Sequence, residues 1–225
     1  MKRIFPIALL TAGMVLGGGF LLTQGGGTNT SQFAVPGAAM AQEANAETKE
    51  IVEMVLGAED APVEIIEYAS YTCPHCANFH TNVFDDIKKN YIETGKVKFV
   101  YREVYFDKYG IWASLVARCG GEEKFFGITD LIYKGQKEWA RAGSDGAIAD
   151  ELRKIGKLAG IGQDEVEACL TDANYIRSLV EWYQANAERD NIQSTPSFLI
   201  DGEPYSNMSY AEFAETLDEK IAAKE

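Results

Sequence analysis

At 225 residues the chain has room for one domain, or one domain carrying a large insertion, and its 46% hydrophobic residues suffice for an ordinary core without a disulfide framework. The formal charge is −13, and no Lys/Arg-rich run follows Lys2 and Arg3. Such a chain repels backbone phosphates, which excludes a nucleic-acid groove.

The N-terminus reads as a targeting segment over residues 1–41. A short basic region precedes an almost continuously apolar run over 4–22, and small residues lead to Ala39-Met40-Ala41, the form of an export cleavage site. The apolar run is long for a signal core and close to spanning length. Two outcomes therefore stand open, cleavage after Ala41 or a retained N-terminal anchor. Either exports the globular part to a place where disulfides persist. Residues 42–50, poor in packing side chains, read as a linker, and a folded domain is expected over 51–225.

Val63-Glu64-Ile65-Ile66-Glu67-Tyr68 is a β-branched run that predicts a buried strand. Pro74 suits the first turn of a helix, and Phe79, Val83, Phe84, Ile87 and Tyr91 carry helical spacing on to an exit at Gly95. Residues 97–101 (VKFVY) predict a second strand. From about 108 to 190 the spacing is helical throughout, with apolar stripes such as Tyr109, Trp112, Val116 and Cys119. Ser197-Phe198-Leu199-Ile200 and Glu203-Pro204-Tyr205 flank Asp201-Gly202, a strong hairpin signal. Ser209 and Glu212 form a capping box for a last helix. The order β, α, β, helical block, β, β, α is that of an α/β protein.

Four cysteines punctuate this order: Cys73, Cys76, Cys119 and Cys169. The first two lie in YTCPHCANFH, Tyr71 to His80, at a strand-to-helix junction. Cys73, Cys76 and His80 could offer three zinc ligands, but structural zinc sites pair one such knuckle with a second, and Cys119 and Cys169 are single and distant. No metal site is expected. A staple is weak as well, because so small a loop removes little chain entropy. A redox pair has a mechanism. A cysteine at a helix N-terminus faces unpaired N–H groups and the positive end of the dipole, which favour thiolate over thiol. His75, between the cysteines, can add a donor or a positive charge. A stabilised reduced form makes the disulfide a good oxidant.

The stretch EYASYTCPHC, Thr195-Pro196 ahead of a strand, and the helical block between them resemble the DsbA family of thiol–disulfide oxidoreductases, from about Val55 to the C-terminal helix. The resemblance implies a thioredoxin-like fold, a mixed central sheet flanked by helices, with an inserted all-helical domain over about 108–190. Within Cys73-Pro74-His75-Cys76 it makes Cys73 the exposed nucleophile and Cys76 its buried partner. Thr195-Pro196 becomes a cis-proline loop beside the disulfide whose backbone can pair with substrate; an ordinary trans proline opening a strand is the alternative. Glu67 becomes a buried acid able to exchange protons with Cys76, against a strand-end glutamate reaching solvent. His80 reads as a packed or surface histidine rather than a catalyst. Some family members carry a second cysteine pair in the insertion, so Cys119 and Cys169 are expected to form a structural disulfide; two free buried thiols are the alternative.

The implied function is that of an exported, periplasmic thiol oxidase, a monomer with no bound cofactor. It acts on reduced exported polypeptides and is reoxidised by a DsbB-like membrane quinone reductase. A disulfide isomerase or reductase using the same centre is the nearest rival, and a peptide-binding chaperone module a more distant one.

Overall fold

The computed structural model describes residues 48–224. The signal or anchor expected over 1–41, and most of the linker over 42–50, lie outside the described residues. Among the described residues, no helix is long and apolar enough to cross a membrane.

One mixed sheet is built from β1 (Met54–Leu56), β2 (Val63–Ala69), β3 (Val97–Glu103), β4 (Ser197–Ile200) and β5 (Glu203–Ser206), in the order β1-β3-β2-β4-β5. β2 runs parallel to β3 and antiparallel to β4, so it is the fully paired centre. The β2–β3 crossover carries α1 (Pro74–Asn82), α2 (Phe84–Ile87) and a π-helical turn, Lys88–Ile92. Between β3 and β4 lie α3 (Lys108–Cys119), α4 (Gly121–Lys134), α5 (Gln136–Trp139), α6 (Asp145–Leu158), α7 (Gln163–Leu170) and α8 (Ala173–Arg189), and α9 (Tyr210–Ala222) closes the chain. This is the thioredoxin-like α/β fold with an all-helical insertion.

Local chemistry accounts for most of these elements. Val63, Ile65, Glu67 and Ala69 alternate along β2 and are all buried on one face. Asp201 and Gly202 both take positive φ, 49° and 80°, the geometry a tight hairpin between β4 and β5 requires. Ser209 and Glu212 complete the reciprocal cap of α9. Aromatic packing then fixes the layers. Phe79 of α1 meets Phe198 of β4 at 4.8 Å between ring centroids, and Phe198 meets Phe213 of α9 at 4.9 Å. Full burial of each ring contributes on the order of 2–3 kcal/mol. The contact also locks α1 to the strand that follows Thr195-Pro196.

The helix after Pro74 is not the single run that the spacing predicts. It breaks at Val83 (φ −127°) and resumes as α2 and the π turn. Cys76, Phe79, His80, Phe84, Ile87, Tyr91 and Ile92 are all buried; the break and the wider π turn shift the register that keeps this long stripe on the core.

Cys119, at the end of α3, is bonded to Cys169 of α7, with Cα atoms 5.9 Å apart and a sequence separation of 50. Replacing both cysteines by Ser is expected to lower stability by about 2–4 kcal/mol, by releasing a long loop in the unfolded chain. Urea denaturation measures the loss, and exchange at Cys73 and Cys76 should survive it. A double variant that stays folded yet loses exchange would make this bond part of the chemistry.

Candidate active site

β2 ends at Ala69, and Ser70, Tyr71 and Thr72 turn the chain so that Cys73 is the N-cap of α1 and Pro74 lies in its first turn. Proline's missing N–H costs nothing there. The turn is held from several sides. Cys73 N–H donates to the Ser70 carbonyl at 3.0 Å. Gln136, buried on α5, donates Nε2 to the carbonyls of Tyr71 and Cys73 at 2.8 and 2.9 Å. The Thr72 hydroxyl donates to Asp107 Oδ2 at 2.9 Å, while Asp107 Oδ1 accepts from Tyr109 and Gly110 N–H and so caps α3. The Tyr71 hydroxyl lies 2.8 Å from that of Thr129 on α4. The helical insertion thereby positions the cysteine turn.

Both cysteines are free thiols. Cys73 keeps only 9% exposure and Cys76 none. The expectation of an exposed Cys73 is corrected: its sulfur is tucked against the loop before β4, 3.4 Å from the Thr195 carbonyl oxygen. The Thr195–Pro196 bond is cis. The Thr195 hydroxyl is buried without a protein partner, a donor left over for an ionised sulfur.

The two thiols are driven apart. Cys73 is pushed down to about 5, chiefly by the hydrogen bond that the Cys76 thiol donates to it. Burial opposes this, while the Thr195 side chain and the main-chain N–H groups of Cys76 and His75 reinforce it. Cys76 is pushed far above the ordinary thiol range, first by burial and then by its bond to Cys73. His75 acts through its main chain; its ring is exposed on the first turn of α1.

Glu67 is fully buried, which removes the alternative of a solvent-reaching side chain. Its place on the central strand, in register with Tyr101 of β3 on one side and Phe198 of β4 on the other, leaves no path outward along the sheet. Oε2 lies 2.8 Å from His80 Nε2, and Oε1 is buried with no partner. His80 itself is buried and stacks on Tyr133 of α4 at 4.3 Å. Cys119 and Cys169 take no part in these contacts. Among the described residues no three His, Cys, Asp or Glu side chains gather where they could hold a metal ion.

With this geometry in place, residues 49–219 match the family model described as thioredoxin. The chain belongs to the thioredoxin family. Within that family it is similar to a Rickettsia bellii protein provisionally named a protein-disulfide oxidoreductase, 33% identical over 170 residues that cover 75% of this chain and 64% of that one. It is also similar to disulfide bond formation protein D of Bacillus subtilis, 29% identical over 182 residues, covering 76% and 78%. The crystal structure of Wolbachia pipientis alpha-DsbA1 aligns with a TM-score of 0.71 at 25% identity, covering 79% of this chain and 94% of that one. This thioredoxin-family chain is thus of the DsbA type, and it spans less than two thirds of the length of the Rickettsia relative.

Sequence reasoning missed three supports of the site. Asp107, directly ahead of a helical stripe, carried a readable N-cap signal. Gln136 carried none, since its role depends on how α5 folds back onto the cysteine turn. The Glu67–His80 pair was also missed, although each residue had been singled out separately.

Proposed function

We propose that this protein is an exported thiol–disulfide oxidoreductase working in the oxidising direction, introducing disulfides into reduced polypeptides in the periplasm. The observation that carries this reading is the split between the two thiols, Cys73 pushed down to about 5 and Cys76 pushed up. A depressed folded-state pKa contributes stability that is fully present above the free-thiol value of about 8.5 and is lost as pH falls through about 5. At pH 7 this contributes about 3 kcal/mol to the reduced form. The disulfide form has no thiolate to stabilise, so it lies higher and is an oxidant.

In the forward reaction a substrate thiolate attacks Cys73 Sγ. The Cys73–Cys76 bond breaks, and its electron pair leaves on Cys76, which takes up a proton. A second substrate thiolate then attacks the substrate sulfur of the mixed disulfide. The substrate gains its disulfide and Cys73 departs as the stabilised thiolate. The Thr195 backbone, beside the sulfur, suits pairing with an extended substrate segment. A DsbB-like membrane quinone reductase would reoxidise the pair, and the exchange itself needs no bound cofactor.

Equilibration of the protein with glutathione buffers tests the reading, with insulin reduction assayed alongside. The expected result is a strongly oxidising couple and slow insulin reduction. Lowering the pH from 7 to 5 should shift the equilibrium about fifty-fold toward the protein disulfide, as the ionised advantage of Cys73 is lost. A potential near the thioredoxin value of about −270 mV with rapid insulin reduction would instead make the protein a reductase.

A further inference from the structure

Every turn of the proposed exchange changes the protonation of Cys76, yet Cys76 and Glu67 are both fully buried. Protons must therefore reach them through other groups. His80 supplies a route: its Nε2 is 2.8 Å from Glu67 Oε2, within proton-transfer reach. It also lines a cleft of about 160 Å³, walled by Phe84 and Phe126 and carrying Asp85, Lys88 and Asp130 among its polar lining. Cys73, Thr72, Pro74 and Thr195 do not line this cleft. A polypeptide joined to Cys73 would leave it open.

We propose that His80 is a proton relay that connects Glu67, and through it Cys76, to water in this cleft. The relay rests on the thiol–disulfide exchange proposed above and adds the residue that moves its proton. When the Cys73–Cys76 bond breaks, Glu67 gives the proton on Oε1, the oxygen with no other partner, to the Cys76 sulfur. Nε2–H of His80 returns a proton to Glu67 Oε2, and Nδ1, the ring nitrogen left free of Glu67, takes one from water in the cleft. Reoxidation runs the same transfers backwards and restores the starting tautomer. The groups facing the ring are Glu67 from β2, Tyr101 from β3 and Tyr133 from α4, with Asp85, Lys88 and Asp130 in the cleft; on its own helix Cys76 lies one turn before it. Stacking on Tyr133, at 15° between planes, holds the ring where both nitrogens are useful.

The test follows reduction of the Cys73–Cys76 disulfide by glutathione, in stopped flow and across pH, in the full chain. His80→Gln keeps a hydrogen bond to Glu67 but cannot pass a proton; His80→Ala leaves a space that imidazole can enter from the cleft. Both variants should slow proton-coupled exchange by about tenfold or more and flatten its pH profile. Added imidazole should restore His80→Ala and not His80→Gln, with alkylation of Cys73 unchanged in both. Wild-type rates in His80→Gln, or no rescue of His80→Ala, would show that the ring only packs, and would overturn the relay alone. A wild-type chain that does not exchange with glutathione would overturn the oxidoreductase reading, and the relay with it.

Discussion

Iodoacetamide will modify Cys73 of the reduced protein and spare Cys76, with a pH–rate profile that inflects near 5, the value to which Cys73 is pushed. An ordinary thiol, with a pKa of about 8.5, is only about 0.3% ionised at pH 6, against roughly 90% for one near 5. Nucleophilicity falls with basicity, by about fortyfold over that interval for a Brønsted slope near 0.45. The ionised fraction wins, and Cys73 should react about eightfold faster than a free thiol at pH 6. Cys73→Ala should abolish both labelling and exchange. Cys76 cannot replace it, being wholly buried and pushed upward by that burial. Mass mapping after brief labelling reads the outcome. An inflection near the free-thiol value, or label shared equally between the two sulfurs, would remove the basis for an oxidising role.

Much of the fold was legible because its signals are local. β-branching marked β2, Asp201-Gly202 marked the last hairpin, and Ser209 with Glu212 marked the start of α9. What stayed hidden depends on partners. β1 has three residues and only Met54 is buried, so its order comes from pairing with β3 rather than from any pattern of its own. The break at Val83 answers to a core stripe running from Cys76 to Ile92, whose demands appear only once β3 and α4 are in place.

The site divides in the same way. The CPHC spacing and the Pro74 first turn are local signals that put the cysteine pair at a helix N-terminus. The contact between Glu67 and His80 spans thirteen positions in sequence and exists because the turn after β2 lays α1 back across the strand. Gln136 reaches Cys73 across a separation of 63, and nothing about a glutamine after a glycine announces such a contact. The degree to which Cys73 is covered was equally illegible, because the cover comes from Thr195 on a distant loop.

Replacing Arg118 with Leu is expected to destabilise the protein by about 3–5 kcal/mol, the usual cost of stranding the partner of a buried ion pair. Arg118 and Glu103 have fully buried side chains and are bidentate, Nε to Oε1 at 2.6 Å and Nη2 to Oε2 at 2.7 Å. The Ser114 hydroxyl donates to Oε1 at 2.9 Å, and Arg118 Nη1 donates to the Val52 carbonyl at 2.9 Å. Burial works against the guanidinium charge, but Glu103 outweighs it and raises the Arg118 pKa. The pair ties the end of β3 to α3, the first helix of the insertion. With Arg118 gone, Glu103 would keep only the Ser114 bond in a dry site. Removing both charges as Glu103→Leu together with Arg118→Leu should recover most of the loss, since apolar replacement of a whole buried pair is often neutral. Urea denaturation of the single and double variants measures the difference. Equal losses in both would mean that the shape of the Arg118 side chain, packed over Trp182 and Phe125, matters and its charge does not. The same variants bear on function, because α3 presents the Asp107 cap to Thr72, and the turn carrying Cys73 is held from the insertion. An insertion loosened from the sheet should therefore move the inflection of Cys73 alkylation back toward that of a free thiol, and the double variant should restore it.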